Sequence, residues 1–419
     1  MPAFQTSPGM RDILAPESAR WRRFTDVFAE VAELAGYGFV IPPMMEDLGV
    51  FTRLGEATEI VTKEMYDFVD KGDRHVALRP EQTAGVCRAY VEHRPITPWK
   101  TWYSGPNFRY EKPQRGRYRQ FDQVGIEVLG SDDAHLDVEV IALGWEFYRR
   151  LGLQRVELLL NSLGEPGDRA RYIDALRSHF ESADLTAQSR ATLAKNPLRV
   201  LDSKRSEDES AIEAAPTIDQ YWSDAAAEHF ATVRAGLEAL AIPYTIDLKL
   251  VRGLDYYRRT TFEFAGLTLD SAQNALGGGG RYDGLVEALG GPPTPGIGFA
   301  LGVDRTLIAC DDEGVFGAPD TDVDVFVVDT VGGGEAVVLT HELRAAGISV
   351  DRSFDGRSMK AQMKGANRSG AAYAVIVGSD ELAADEVAIR PLRSGGDQVS
   401  VARSELVPDL QSRLEEGNR

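Results

Sequence analysis

Apolar residues recur at helical spacing early in the chain. Trp21, Phe24, Phe28, Val31 and Ala35 fall on one stripe between residues 16 and 35, and Gly36 follows as a stop. The next stretch, Tyr37 to Pro43, reads as a short strand closed by two prolines. From Trp99 to Gly130 two strand-like runs flank a charged, glycine-containing tip at Lys112 to Tyr118, which predicts a hairpin with a long loop. In its second strand Val124, Ile126 and Val128 point to one side and Gln123, Gly125 and Glu127 to the other, giving one core face and one polar face. Residues from about 165 to 243 lose the strand signals and become helix-like, polar and acidic, which predicts a helical insertion. Strand chemistry returns at Thr245 to Arg252 and at Thr260 to Phe264. A loop at Gly277 to Gly280 follows, then a helix near Asp283 to Leu289, a Pro/Gly turn at Gly290 to Gly296, a strand, and a helix beginning near Asp304.

Gly314 to Asp322 is rich in Gly, Pro and Asp and reads as a linker. Beyond it the pattern resets to strand, helix, strand, helix, strand at Val323–Val328, Glu335–Ala346, Ile348–Asp351, Arg357–Ser369 and Ala372–Val377. Two domains are therefore expected: residues 1–320, with the helical insertion inside them, and a compact α/β domain over 321–419.

Composition sharpens this picture. The chain has 419 residues, 43% hydrophobic and 26% charged, which is ample for a large core. No apolar run approaches the ~20 residues of a membrane-spanning helix, and MPAFQTSPGMRDIL lacks the pattern of a signal peptide. A cytoplasmic location with no membrane partner is the expectation. Cys87 and Cys310 are too few for a thiolate zinc site or a disulfide framework, so buried free thiols are expected. A net charge of -19 argues against a protein that coats nucleic acid non-specifically, so any such partner must meet local basic patches. Two exist. Lys100, Arg109, Lys112, Arg115, Arg117 and Arg119 cluster on the hairpin against the single acid Glu111, and Arg357, Lys360, Lys364 and Arg368 recur at the spacing of one helix face.

Three stretches carry candidate chemistry. On the hairpin, Arg109 offers a planar fork for a phosphate and Phe121 a flat surface for a base; a surface ion pair between Arg109 and Glu111 is the plainer alternative. The glycines of GGGGRYD, Gly277 to Asp283, lack the Lys-Ser/Thr of a Walker loop, leaving either a flexible turn or a backbone that passes close to a ligand. In LVRGLDYY the alternation of Ile246, Leu248 and Leu250 calls for another apolar residue, yet Arg252 stands there. Such an arginine meets either an anion or Asp255.

Taken together, GYGFVIPP, FRYEKPQRGRYRQFDQVGIEVLG and GIGFALGVDR resemble, in order, the three motifs of class II aminoacyl-tRNA synthetases. LVRGLDYY and GGRYDGL resemble the stretches peculiar to the histidyl-tRNA synthetases, and KEMYDF, LRPEQTAG, NPLRVLDSK and the C-terminal pattern extend the similarity over almost the whole chain. The resemblance implies an α/β protein in which an antiparallel class II sheet is flanked by helices, followed by a mixed α/β anticodon-binding domain. It also implies a homodimer with the first motif at the subunit interface.

What it implies for the site is specific. Arg109 and Glu111 would serve ATP, Arg109 holding the α-phosphate, and Arg305 would meet the γ-phosphate, with adenine between Phe121 and the Arg305 guanidinium. Arg252 would approach the α-phosphate from the other side. Glu81, Thr83 and Gln123 would take the ammonium group of L-histidine, Glu127 and Tyr257 would hydrogen-bond its imidazole, and Tyr282 would wall the pocket. Arg115 and Arg117 would contact the acceptor end of tRNA(His), and Arg357, Lys360 and Lys364 its anticodon arm. Mg2+ is expected with ATP, its ligands unassigned. Gln82, Asp122 and Asp304 depart from the residues usual at those places, which are glycine, histidine and glutamate. A regulatory relative, the histidine-binding subunit of ATP phosphoribosyltransferase, is the alternative of a different functional class.

Overall fold

The computed structural model describes residues 4–53, 63–201, 203, 205–251, 257–269, 274–320 and 322–417. The chain divides into two compact units, Met1–Pro319 and Asp320–Arg419.

The first unit opens with α1 (Glu17–Leu34), whose stripe buries Phe24, Phe28 and Val31 as its spacing predicts. Phe24 and Phe28 each meet Phe147 edge-on, with ring centroids 5.0 and 5.1 Å apart, a geometry that aligns ring edges with ring faces. Gly36 ends the helix at a φ of +81°, and β1 follows as only two residues, Gly38–Phe39. Next come β2 (Met45–Asp47), α2 (Leu48–Thr52), β3 (Tyr66–Val69) and β4 (His75–Leu78), the three strands forming a small antiparallel sheet, and then α3 (Thr83–His93). The predicted hairpin is β5 (Trp99–Phe108) and β6 (Gln120–Leu129), paired from Trp99–Leu129 to Phe108–Gln120. Both faces of β6 are buried from Val124 onward, so its polar face lines an interior and not solvent.

After α4 (Ala134–Arg150) and β7 (Val156–Ser162), residues 166–239 carry α5 (Pro166–Ser182), α6 (Ala187–Lys195), α7 (Glu209–Glu213) and α8 (Asp224–Ala239). Tyr172, Leu176, Phe180, Leu193 and Ile212 close a separate small core, whereas Phe230, Val233 and Leu237 of α8 join the main one. The chain returns through β8 (Thr245–Ile246), β9 (Arg258–Gly266), β10 (Ala275–Arg281), α9 (Leu285–Ala288), β11 (Gly296–Gly302) and α10 (Val303–Glu313). Among the described residues the main sheet has eight strands in the order β1-β5-β6-β11-β10-β9-β7-β8, antiparallel except at its two ends.

Two sequence expectations are corrected here. Gly277–Gly280 is not a loop but the middle of β10, hydrogen-bonded on both sides; without side chains it shows no alternation, so its strand character is invisible to periodicity. The strand expected from Thr245 to Arg252 stops at Ile246, because the Asp247 carboxylate accepts the Lys249 N–H (3.0 Å) and the Asp247 carbonyl that of Leu250 (2.9 Å), closing a turn.

The second unit has β12 (Val325–Asp329), α11 (Gly334–Ala345), β13 (Val350–Arg352), α12 (Met359–Arg368), β14 (Tyr373–Val377), α13 (Ser379–Ala384), β15 (Glu386–Pro391), β16 (Val399–Ala402) and α14 (Leu406–Gly417). Its sheet order, β13-β12-β14-β15-β16, is parallel over the first three strands and antiparallel over the rest. Arg357 precedes α12 and does not ride on it, as its spacing had suggested; it sits in the turn ahead of Ser358.

Candidate active site

One face of β6 organises the site. Phe121, Gln123, Gly125 and Glu127 alternate onto it, and at ~3.4 Å per residue the run from Phe121 to Glu127 covers roughly 20 Å. Its outer end opens on a cleft of about 230 Å³ lined by Arg109, Glu111, Arg117, Phe121, Gln123, Asp304 and Arg305, with the start of β10 opposite. The Arg109 guanidinium lies 5.1 Å from the Phe121 ring centroid, and its Nε donates to the Pro80 carbonyl at 2.9 Å. Arg305 is held from two directions: Nε donates to the Gly116 carbonyl of the hairpin tip and Nη1 to the Ala275 carbonyl of β10, both at 3.1 Å. Burial, then the charges of Arg117 and Arg109, push the Arg305 guanidinium below its ordinary range. A half-buried knot of three cations in so acidic a protein is suited to an oligophosphate. Glu111 pairs with Arg117.

The inner end of the same face is a buried polar cluster. Glu127, 1% exposed, accepts hydrogen bonds from Thr83 Oγ1 (2.6 Å), from Tyr103 OH (3.1 Å) and from Tyr282 OH. Burial pushes its carboxyl up to about 8 in spite of the Thr83 and Tyr282 hydroxyls, with Glu81 adding to the rise. Glu81, two residues ahead of α3, accepts the N–H groups of Thr83 (2.6 Å) and Ala84 (2.9 Å) in its first turn. Its carboxyl is raised too, by burial first. Tyr257 and Tyr282 are both buried in the apolar cluster around Cys87, Leu129 and Val286. The polar cluster requires glycine beside it: a Cβ at Gly298, which faces Glu127 across the β6–β11 pair, would overlap the Glu127 carboxylate and the Ile126 carbonyl. A buried acceptor ringed by hydroxyls suits a small ring that carries N–H donors.

Comparison with known proteins decides the family. The family profile described as histidyl-tRNA synthetase matches residues 9–306, and one described as an anticodon binding domain matches residues 323–413. The chain belongs to the histidyl-tRNA synthetase family. A protein named histidine–tRNA ligase from Nocardia farcinica is 47% identical, with 98% of this chain and 99% of that protein covered. One of the same name from Mycobacterium tuberculosis is 45% identical over 98% of each. The crystal structure of apo S. aureus histidyl-tRNA synthetase superposes with a TM-score of 0.82 at 35% identity, covering 97% of this chain and 99% of that one.

Within this histidyl-tRNA synthetase fold the residues singled out from sequence distribute as follows. Arg109, Glu111, Phe121, Gln123 and Arg305 share the cleft. Arg117, expected at the tRNA, lines it as well, whereas Arg115 points outward and lies 3.5 Å from Asp312. Glu81, Thr83, Glu127 and Tyr282 are brought together by the hydrogen bonds above. Gln123 is held by the Asn107 amide at 2.9 Å. Arg252 lies outside the described residues. Arg357, Lys360 and Lys364 are exposed on the second unit. Of the three departures, Gln82 is buried and donates to the Gly105 carbonyl, Asp122 lines the cleft with its carboxyl raised by burial, and Asp304 pairs with Arg11.

Sequence reasoning missed three groups. Tyr103 occupies an inward position of β5, which alternation alone could have flagged. Arg79 is buried and donates to the carbonyls of Pro42 (2.7 Å) and Pro106 (2.8 Å), tying the loop after β1 to the hairpin. Behind Tyr282, Arg281 and Asp137 form an ion pair at 2.7 Å with both side chains fully buried. His229 and Thr260 also contact Asp137, at 2.8 and 2.5 Å, while Asp283 pairs with Arg258 and accepts the Gly296 N–H. In GGRYD only the tyrosine therefore faces the polar cluster; the flanking charges anchor it.

Proposed function

We propose that the chain activates L-histidine with ATP, forming histidyl-adenylate and pyrophosphate, and then transfers the histidyl group to the 3′ end of tRNA(His). The observation that carries this is the continuity of the β6 face, which runs from an arginine-lined cleft to a buried carboxylate ringed by hydroxyls. The histidine carboxylate would attack the α-phosphorus in line and the α–β bridging P–O bond would break, releasing pyrophosphate. The terminal ribose hydroxyl would then attack the acyl carbon, giving its proton up and releasing AMP. No protein nucleophile is needed; positioning and fixed positive charge supply the rate enhancement.

Roles are assigned on the same reading. Arg109 and Arg252 meet the α-phosphate, Arg305 the γ-phosphate, and Phe121 the adenine. Glu81, Thr83 and Gln123 take the ammonium group, Glu127 and Tyr257 the imidazole nitrogens, and Tyr282 closes the wall. Magnesium would arrive with the nucleotide, its ligands unassigned; Glu111, Asp122 and Asp304 are the carboxylates that line the cleft. Arg115 and Arg117 are proposed for the acceptor end and Arg357, Lys360 and Lys364 for the anticodon arm. A homodimer is proposed too, supported by the apolar surface near the first motif, where Phe39 is 51% and Ile41 75% exposed. The site of action is the cytoplasm, where tRNA is charged; among the described residues no helix is long and apolar enough to cross a membrane.

Histidine-dependent exchange of labelled pyrophosphate into ATP tests the reaction. Exchange with histidine and with no other amino acid is the expected result; its absence, or equal exchange with threonine, proline or glycine, would overturn it.

A further inference from the structure

Ahead of α1, residues 4–16 form neither helix nor strand, and none of the site motifs includes them. They nevertheless run along the hairpin. The Gly9 carbonyl accepts the N–H groups of Arg119 (2.8 Å) and Gln120 (3.4 Å), where the chain enters β6. Gly9 has a φ of +79°, and a Cβ there would meet Arg119 Cγ at 2.7 Å, so glycine lets the segment lie this close. Two residues on, the Arg11 guanidinium sits 4.4 Å from the Tyr118 ring centroid and 5.5 Å from that of Trp21. Its Nη2 pairs with the carboxylate of Asp304. Asp304 stands in the first turn of α10, immediately before Arg305, and Tyr118, Asp304 and Arg305 all line the cleft.

The charge balance gives this contact its meaning. Glu111, Asp122 and Asp304 put three carboxylates into a cleft whose proposed ligand is a polyphosphate; Glu111 is paired with Arg117, and burial pushes the Asp304 carboxyl up to about 6 against the pull of Arg11. Without a cation behind it, Asp304 would oppose the γ-phosphate beside the very residue meant to bind it.

We infer that Arg11 is a positioning residue for ATP: by clamping Tyr118 of the hairpin tip to Asp304 at the head of α10, it fixes Arg305 and offsets the carboxylate next to it. This role rests on the function proposed above, so the exchange reaction is the assay. Arg11→Ala is expected to raise KM for ATP about tenfold while KM for histidine stays within about twofold. Arg11→Lys, which keeps the charge and loses the planar stack, is expected to restore part of the difference. Adding Asp304→Asn to Arg11→Ala removes the unpaired carboxylate and should bring KM for ATP back toward the unaltered value. Thermal unfolding midpoints of the same proteins identify any loss of fold, and the double variant reads the charge effect against its own single-variant background. An unchanged KM for ATP, equal rises in both KM values, or a double variant no better than Arg11→Ala would overturn the role. Failure of the unaltered protein to exchange at all would instead overturn the function, and this role with it.

Discussion

The buried carboxylate of Glu127, proposed to recognise histidine, carries a pH dependence of its own. Glu127 is raised from 4.5 to about 8, chiefly by burial. Because its folded value is the higher one, its contribution to stability is full below about 4.5 and is lost as pH rises through about 8. The ligand-free protein should therefore lose thermal midpoint between about pH 4.5 and pH 8 relative to Glu127→Gln, which has no charge to bury, and level off above that; parallel melting curves for the two would refute the assignment. In the exchange reaction the same substitution should cost about a hundredfold or more in kcat/KM for histidine, since the amide is a weaker acceptor for the imidazole proton. Glu127 and Gln123 could be picked out from sequence because strand alternation sets both on the polar face. Tyr103, which completes the acceptor's shell, could have been found in the same way on the partner strand. Asp137 could not, as it occupies one more helical position until Arg281 arrives beside it.

Strands β10 and β11 show what glycine does at the level of an element. Gly298→Ala would drive a methyl group into Glu127 and the β6 backbone, and overpacking of this kind costs about 1–3 kcal/mol or more. Urea unfolding should show a loss in that range together with weakened histidine exchange; a stable and active variant would mean the strands stand further apart. Behind them, the Arg281–Asp137 pair joins the end of β10 to α4. Asp137→Ala takes the nearer carboxylate from a fully buried guanidinium and leaves only Asp283 at 3.7 Å; breaking a buried pair typically costs about 3–5 kcal/mol. Replacing both, with Arg281→Met added, is expected to recover much of that loss, and a double variant as unstable as the single one would argue that the pair is not the source. The hairpin, α1 and the alternating strands and helices of the second unit were readable because each carries several side chains in period. The glycine strand carries none, and the turn at Asp247 interrupts an apolar alternation that continues in sequence after the strand has ended.

Over the whole molecule, a net charge of -19 makes every tRNA contact a local affair. Arg357, Lys360 and Lys364 are exposed on the second unit, far along the chain from the exchange chemistry. Reversing all three to glutamate is expected to raise KM for tRNA about tenfold or more in aminoacylation at moderate salt, with a shallower salt dependence and unchanged pyrophosphate exchange. An unchanged KM for tRNA would remove them from the interface. The exposed Phe39 and Ile41 belong to the same scale: light scattering at micromolar concentration should give twice the chain mass, and Ile41→Asp should shift it toward the monomer.

Sequence alone determined the class of fold, the family and the roster of candidate ligands, since ordered motifs, strand alternation and helical spacing are written in neighbouring residues. Tertiary structure decided which of those residues meet and what charge they carry. Tyr282 reaches Glu127 across 155 positions and Arg11 reaches Asp304 across 293, separations over which no local period carries information. Burial, a property only of the assembled sheet, then lifts the Glu127 carboxyl into the range where histidine itself titrates.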